Sequence, residues 1–205
     1  MFPLDAPSDD GLVEFVVPAA PVSFQSSARS KAAVVEAIRA RTHPCRYLLS
    51  GDVKLSIRWH VSQRVRYEGD GSADVDNIIK PIADALSGVD GVMIDDCQIQ
   101  ELTCYWTDQD SEAEKLSIEL RSLSDEYVMK DHLVFLHVGK GLYYPLSSDI
   151  PPPMLVGIAE SVIERAVAPD LYLRPVQRVF HRSRINGFRT STLDELRARL
   201  DSSYE

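Results

Sequence analysis

Hydrophobic positions along this chain fall into stretches that alternate with polar residues and stretches that recur every three or four positions. The clearest alternation is Val53 to Val61, where Val53, Leu55, Ile57, Trp59 and Val61 are separated by Lys54, Ser56, Arg58 and His60. That pattern predicts a strand with one buried face. Val13 to Val17 is a shorter apolar run, and Pro18 and Pro21 behind it limit it to a strand end or an edge. Gln98 to Trp106 and Lys115 to Leu120 read as the two arms of a hairpin, separated by the acidic loop Thr107 to Glu114. Helical spacing appears in Val34, Val35 and Ile38, within Ala32 to Arg41. Arg39 and Arg41 stand near the C-terminal end, where cations suit the helix dipole. It appears again in Ile78, Ile79, Ile82 and Leu86, with Asp76 or Asn77 as the N-cap and Pro81 in the first turn.

The pattern changes character after about Ser124. Leu133 to Val138 and Leu142 to Tyr144 flank Gly139, Lys140 and Gly141, which predicts a β-hairpin. Pro151 to Pro153 precede Met154, Leu155, Ile158, Val162 and Ile163, a helix with a proline-rich start. Leu171 to Arg184 reads as extended and basic, and Thr192 with Glu195 forms a capping box for a last helix carrying Leu193, Leu196 and Leu200. This change divides the chain into a domain over residues 1–124 and a C-terminal extension, residues 125–205, that reads as a small β/α module, either a second small domain or a layer on the first.

Composition places limits around this pattern. The 44% hydrophobic content is that of a soluble globular protein. No apolar run is long enough to cross a bilayer, and the N-terminus, MFPLDAPSDDG, carries acids rather than a basic head and an apolar block. The expected setting is the cytoplasm, without a membrane partner. Cys45, Cys97 and Cys104 are odd in number and contain no CxxC pair, which argues against a disulfide framework and against structural zinc. The five histidines are scattered without ligand-like spacing.

The net charge of −9 sits unevenly: residues 1–124 hold 20 Asp plus Glu against 12 Lys plus Arg, and residues 125–205 hold 11 against 10. Tight non-specific DNA binding is therefore not expected. Within the extension, Arg174, Arg178, Arg182, Arg184 and Arg189 are interleaved with Tyr172, Phe180, His181 and Phe188. This run suits a phosphate backbone with exposed bases, and it suits equally the solvated face of a strand or a surface for docking protein.

Candidate chemistry concentrates between Ser72 and Gln100. Asp74 and Asp76 are two apart, so on an extended backbone both side chains point to one side, a pair that invites a cation. Lys80 follows Asp76 by four residues, within reach of the acids if the helix begins at its cap. Gly88 and Gly91 mark a turn, and Val92, Met93 and Ile94 bring the chain to a second acidic pair, Asp95 and Asp96. Neighbouring residues of a strand face opposite ways, so one of these two joins the first pair. An N-cap accounts for one of the four acids and not for the rest. Asp84 reads as a solvated helix residue. A calcium loop over Asp70, Ser72, Asp74 and Asp76 fails at its glycine position, which is Val75.

In its acidic stretch the sequence resembles the RusA family of Holliday-junction resolvases. The resemblance rests on Asp74, Asp76 and Asn77, then Lys80, then Asp84, Ala85 and Leu86, then Asp95 and Asp96, and extends more loosely over residues 12–122. It implies an α/β (α+β) fold, a small mixed β-sheet with helices packed on one face. It also implies a homodimeric endonuclease, dependent on Mg²⁺ with Mn²⁺ as a substitute, that makes paired cuts in branched DNA at four-way junctions. By position, Asp74, Asp76 and Asp96 would hold the metal, with Lys80 beside them as a catalytic cation and Asp95 behind or outside the site. A metal held by a few carboxylates and activating water suits phosphodiester hydrolysis on general grounds. The alternatives are a nuclease of the same fold acting on RNA or flaps, and a non-catalytic binding module. The intact acidic set speaks against the second.

Overall fold

In the computed structural model, residues 2–20, 28–64, 75–109, 113–167 and 179–202 are described, and the chain forms two compact units, Met1–Tyr127 and Val128–Glu205. Helix and strand contribute about equally, in a mixed α/β architecture.

The first unit contains β1 (Leu12–Val17), α1 (Ala28–Thr42), β2 (Tyr47–Leu49), β3 (Val53–Ser62), α2 (Val75–Leu86), β4 (Ile99–Gln109) and β5 (Lys115–Arg121). Its main sheet has the strand order β1-β5-β3-β4. The alternation expected of β3 is present: Val53, Leu55, Ile57, Trp59 and Val61 are buried, as are Val13, Phe15 and Val17 of β1 and Leu116, Ile118 and Leu120 of β5. The opposite face is polar and paired across the strands. Lys54 meets Glu101 at 2.7 Å, Arg58 donates to the Tyr105 hydroxyl at 2.6 Å, and His60 lies 2.8 Å from Ser117. The helices therefore cover one face only, with Val34 and Ile38 of α1 and Ile78, Ile82, Ala85 and Leu86 of α2 buried there.

Two expectations are corrected here. The strands β4 and β5 are not a hairpin, because β3 lies between them, parallel to β4 and antiparallel to β5. The connection at residues 110–114 is long enough to clear one intervening strand, a distance of about 10 Å. An edge position also suits β4, whose Leu102 stays 41% exposed. The helix α2 starts at Val75 rather than after an Asp76 or Asn77 cap, so Pro81 falls in the second turn and removes one backbone donor there. Its ring is buried among the apolar face of the helix.

After α2 the chain reverses sharply. Gly88 adopts a φ of 87°, and a Cβ on Gly91 would collide with the Leu86 carbonyl. The amides of Val92 and Met93 both donate to that carbonyl, at 2.8 and 3.1 Å, and so satisfy the end of the helix. Val92, Met93 and Ile94 are buried, and Leu49 of β2 donates its amide to the Val92 carbonyl at 2.8 Å.

The second unit takes in most of β6 (Tyr127–Met129), the strand at which the chain divides. It continues through β7 (Leu133–Gly139), β8 (Leu142–Ser147), α3 (Pro152–Val167), β9 (Phe180–His181), β10 (Thr190–Ser191) and α4 (Leu193–Ser202). Its sheet order is β10-β7-β8-β9, and the expected hairpin is β7 with β8. One face of this sheet, with Val134, Leu136, Tyr144 and Leu146, packs against Leu155, Ala159 and Val162 of α3 and Leu196 of α4. The capping box at the start of α4 is present, with the Thr192 amide donating to Glu195 at 3.0 Å and the Glu195 amide to the Thr192 hydroxyl at 3.3 Å. Of the basic segment expected to be extended, residues 171–178 lie outside the described residues, and Arg182–Arg184 form a short 3₁₀ turn.

One buried side chain ties the first unit together at the reversal. Gln98 is fully buried; its Oε1 accepts from the amides of Ile94 and Asp95 at 2.8 and 2.9 Å, and its Nε2 donates to the carbonyls of Leu49 and Gly51 at 2.9 and 2.8 Å. Gln98→Met keeps the length of the side chain and removes all of these partners. The expected cost is about 3 kcal/mol in urea unfolding, because buried backbone groups lose their bonds. A loss below about 1 kcal/mol would show that the amide is not holding this junction.

Candidate active site

The reversal after α2 brings the second acidic pair back to the helix. Lys80, on the exposed side of α2, places its Nζ 2.6 Å from the Asp84 carboxylate and 2.7 Å from the Asp96 carboxylate. Asp84 is one helical turn further along, which is the spacing at which side chains of a helix meet. Asp96 is sixteen residues away in sequence and arrives through the Gly88 to Ile94 turn. The hydrogen bond that Lys80 donates to Asp84, and then that to Asp96, hold its ammonium above the ordinary lysine pKa.

Asp95 and Asp96 separate by local geometry. Asp95 has extended backbone, with φ −157° and ψ 153°, and is the N-cap of the 3₁₀ turn Asp96–Gln98. Its Oδ1 accepts from the Cys97 amide at 2.9 Å, while Gln98 reaches back to the Asp95 amide and completes a capping box. Asp96 is the first residue of that turn, and its side chain, 24% exposed, faces Lys80. The two acids thus diverge as expected, although a capped turn rather than a strand separates them.

Of the residues singled out from the sequence, Lys80 and Asp96 are brought together. Asp76 lies in the first turn of α2, not on an extended strand; its side chain, and all of Asp74, lie outside the described residues. Asp84 is a solvent-exposed helix residue, as its position suggested, and it also accepts from the Lys80 ammonium. The Lys80 and Asp84 spacing signalled it, since a lysine has carboxylates available both one turn before and one turn after. Gln98 was also legible in principle, as the last position of an Asp-x-x-Gln capping box starting at Asp95.

Besides His60, three of the five histidines pair with side chains other than the Lys80 cluster. His43 lies 3.0 Å from Asp90, His132 lies 2.6 Å from Asp149, and His181 lies 3.0 Å from Ser183. None of the three cysteines is in a disulfide. Among the described residues no cluster of three or more His, Cys, Asp or Glu is arranged to hold a metal ion. No described helix is long and apolar enough to cross a membrane.

The arrangement is an exposed ammonium fixed between two carboxylates, on the helix that has Asp76 in its first turn. Such a site suits chemistry on a phosphodiester, where negative charge must be neutralised as it develops. None of the curated proteins compared with the chain matches it. Residues 22–121 match the family model of the endodeoxyribonuclease RusA, and through this domain the chain belongs to the RusA family of Holliday-junction endodeoxyribonucleases, with additional residues C-terminal to it.

Proposed function

We propose that the RusA domain cuts four-way DNA junctions with Asp74, Asp76 and Asp96 as ligands of a magnesium ion, for which manganese can substitute, and with Lys80 as the catalytic cation. The observation that carries this reading is the Lys80 ammonium held between Asp84 and Asp96, because it joins the helix of the first acidic pair to the turn of the second. The donor set fits the metal: Asp74, Asp76 and Asp96 offer carboxylate oxygen, the ligand type that Mg²⁺ prefers. When bound, the metal supplies Lewis-acid polarisation of the phosphodiester and an activated water.

The chain's own contribution is positional. Asp84 tethers the Lys80 side chain along the helix, so that the ammonium stays near Asp96 instead of sampling solvent. From there it can stabilise charge on the pentacovalent phosphorus of the transition state. Asp95 and Gln98 fix the turn that aims Asp96. We further propose that the nuclease domain spans residues 1–124, that residues 125–205 form an extension, and that the enzyme acts in the cytoplasm as a homodimer, which would place two sites for paired cuts in the two strands.

Asp76→Asn and Asp96→Asn each remove a charge at nearly constant shape. With labelled four-way junction and Mg²⁺, each variant should cut more slowly by about two orders of magnitude or more, with EDTA abolishing cleavage by the parent. Junction binding should survive or tighten, since a repulsion on the order of 1 kcal/mol has been removed at close range. Asp95→Asn retains a side chain that can cap the turn and should stay within several-fold of the parent. Essential Asp95 with dispensable Asp96 would make the ligand set wrong.

The dimer has its own test. Light scattering on the full chain at about 10 μM should give twice the mass of the monomer, because a specific interface of ordinary size holds at that concentration. A monomer with full junction-cutting activity would remove the paired-site reading.

A further inference from the structure

A cationic, aromatic surface stands at one end of the second unit's sheet. The stretches 133–147 and 179–191, which supply β7, β8, β9, β10 and their turns, contain Lys140, Arg182, Arg184 and Arg189 and no Asp or Glu, in a chain whose net charge is −9. Arg189 is engaged at the other edge of the sheet, donating to the Asp131 carbonyl at 2.8 Å. Lys140 belongs to the tip of the β7–β8 hairpin, and Arg182 and Arg184 to the short turn beside it. Lys140 is exposed at the tip itself, with a φ of 53°. The Arg182 amide donates to the Gly141 carbonyl at 2.9 Å, so the turn Arg182–Arg184 is fastened directly to that tip.

Aromatic rings lie on the sheet beside Arg182. His137, Tyr143 and Phe180 face one another across β7, β8 and β9, on the face of the sheet away from α3 and α4. Phe180 and Phe188 close over Phe135 and form a small core there, with ring centroids 6.0 and 5.2 Å from it. Toward the tip, His137 and Tyr143 lie 5.0 Å apart, and the Arg182 guanidinium stands 5.4 Å from the Tyr143 ring centre. That contact braces the arginine without neutralising it.

We propose that Lys140, Arg182 and Arg184, with His137 and Tyr143 between them, form a second DNA-contacting surface that grips the backbone of a junction arm. Exposed cations neutralise phosphates, and the partly exposed rings of His137 and Tyr143 offer faces on which bases can stack. The proposal rests on the assignment of branched DNA as the substrate. It also gives a net acidic protein a local means of engaging a polyanion that the metal site alone does not supply.

The test is the full-length variant Lys140→Ala/Arg182→Ala/Arg184→Ala, titrated against labelled four-way junction in Ca²⁺ or EDTA over a range of salt. Junction affinity should fall about tenfold or more at low salt. The slope of log K against log salt should flatten by roughly 1 to 3, one increment of a little under unity for each lost phosphate contact. Cleavage at saturating junction in Mg²⁺ should be unchanged. Lys140→Glu is the companion variant: it changes only an exposed hairpin tip, where one L-residue replaces another at the same φ, and it should weaken binding in the same direction.

Unchanged affinity and salt slope in both variants would overturn the proposal, and so would a change in oligomeric mass with DNA binding intact, which would make the surface a protein interface. These results are distinct from failure of the nuclease reading. A parent protein that cuts no junction would refute that reading. Loss of DNA affinity in the two variants would still establish the surface.

Discussion

The buried amide of Gln98 is the constraint on which the geometry of the candidate active site depends. An amide buried in an apolar core is costly unless all its capacity is used, and here it accepts from Ile94 and Asp95 and donates to Leu49 and Gly51. Its bonds run from the turn carrying the second acidic pair to the residues flanking the loop that enters β3. The turn is thus referenced to the central strand of the sheet. Asp96 meets Lys80 because the backbone beside it is held in this way, and the exposed ion pairs themselves add little to stability.

The sheet completes the positioning. β3 has strand partners on both edges and one wholly buried face, so it gives the turn a fixed reference within the first unit. The path β3, α2, β4 lays the helix over that face and returns the chain parallel to β3, and the acids enter at the start of the helix and on the return. Placing β4 at the edge gives the 3₁₀ turn of Asp96–Gln98 a free approach to α2. A β4–β5 hairpin would have satisfied the same hydrophobic pattern with a different neighbour for β3.

Charge is distributed to match. The excess of acids falls in the first part of the chain, where the proposed metal would offset several of them, while residues 133–147 and 179–191, which build the second sheet, contain cations and no Asp or Glu. Net charge alone would argue against a nucleic-acid partner. Its distribution does not.

What the sequence determined by itself was periodicity and local chemistry. The alternation of Val53 to Val61 gave β3, the spacing of Ile78, Ile82 and Leu86 gave the buried side of α2, and Thr192 with Glu195 gave the start of α4, because each is decided within about one or two turns of backbone. The order of acids, lysine and acids gave the candidate site and the family. Tertiary structure decided what local rules leave degenerate. Lys80 has acids in the sequence one turn before and one turn after it, and the return of the chain adds Asp96, sixteen residues away, as a second partner of its ammonium beside Asp84. The two strands after the reversal could form a hairpin or flank a third strand, and hydrophobic alternation is the same in both. The first turn of α2 could begin at any of several residues, since acids and asparagine all cap well. In each case the competing local arrangements have similar energies, and the choice falls to long-range burial and to bonds, such as those of Gln98, between residues far apart in the chain.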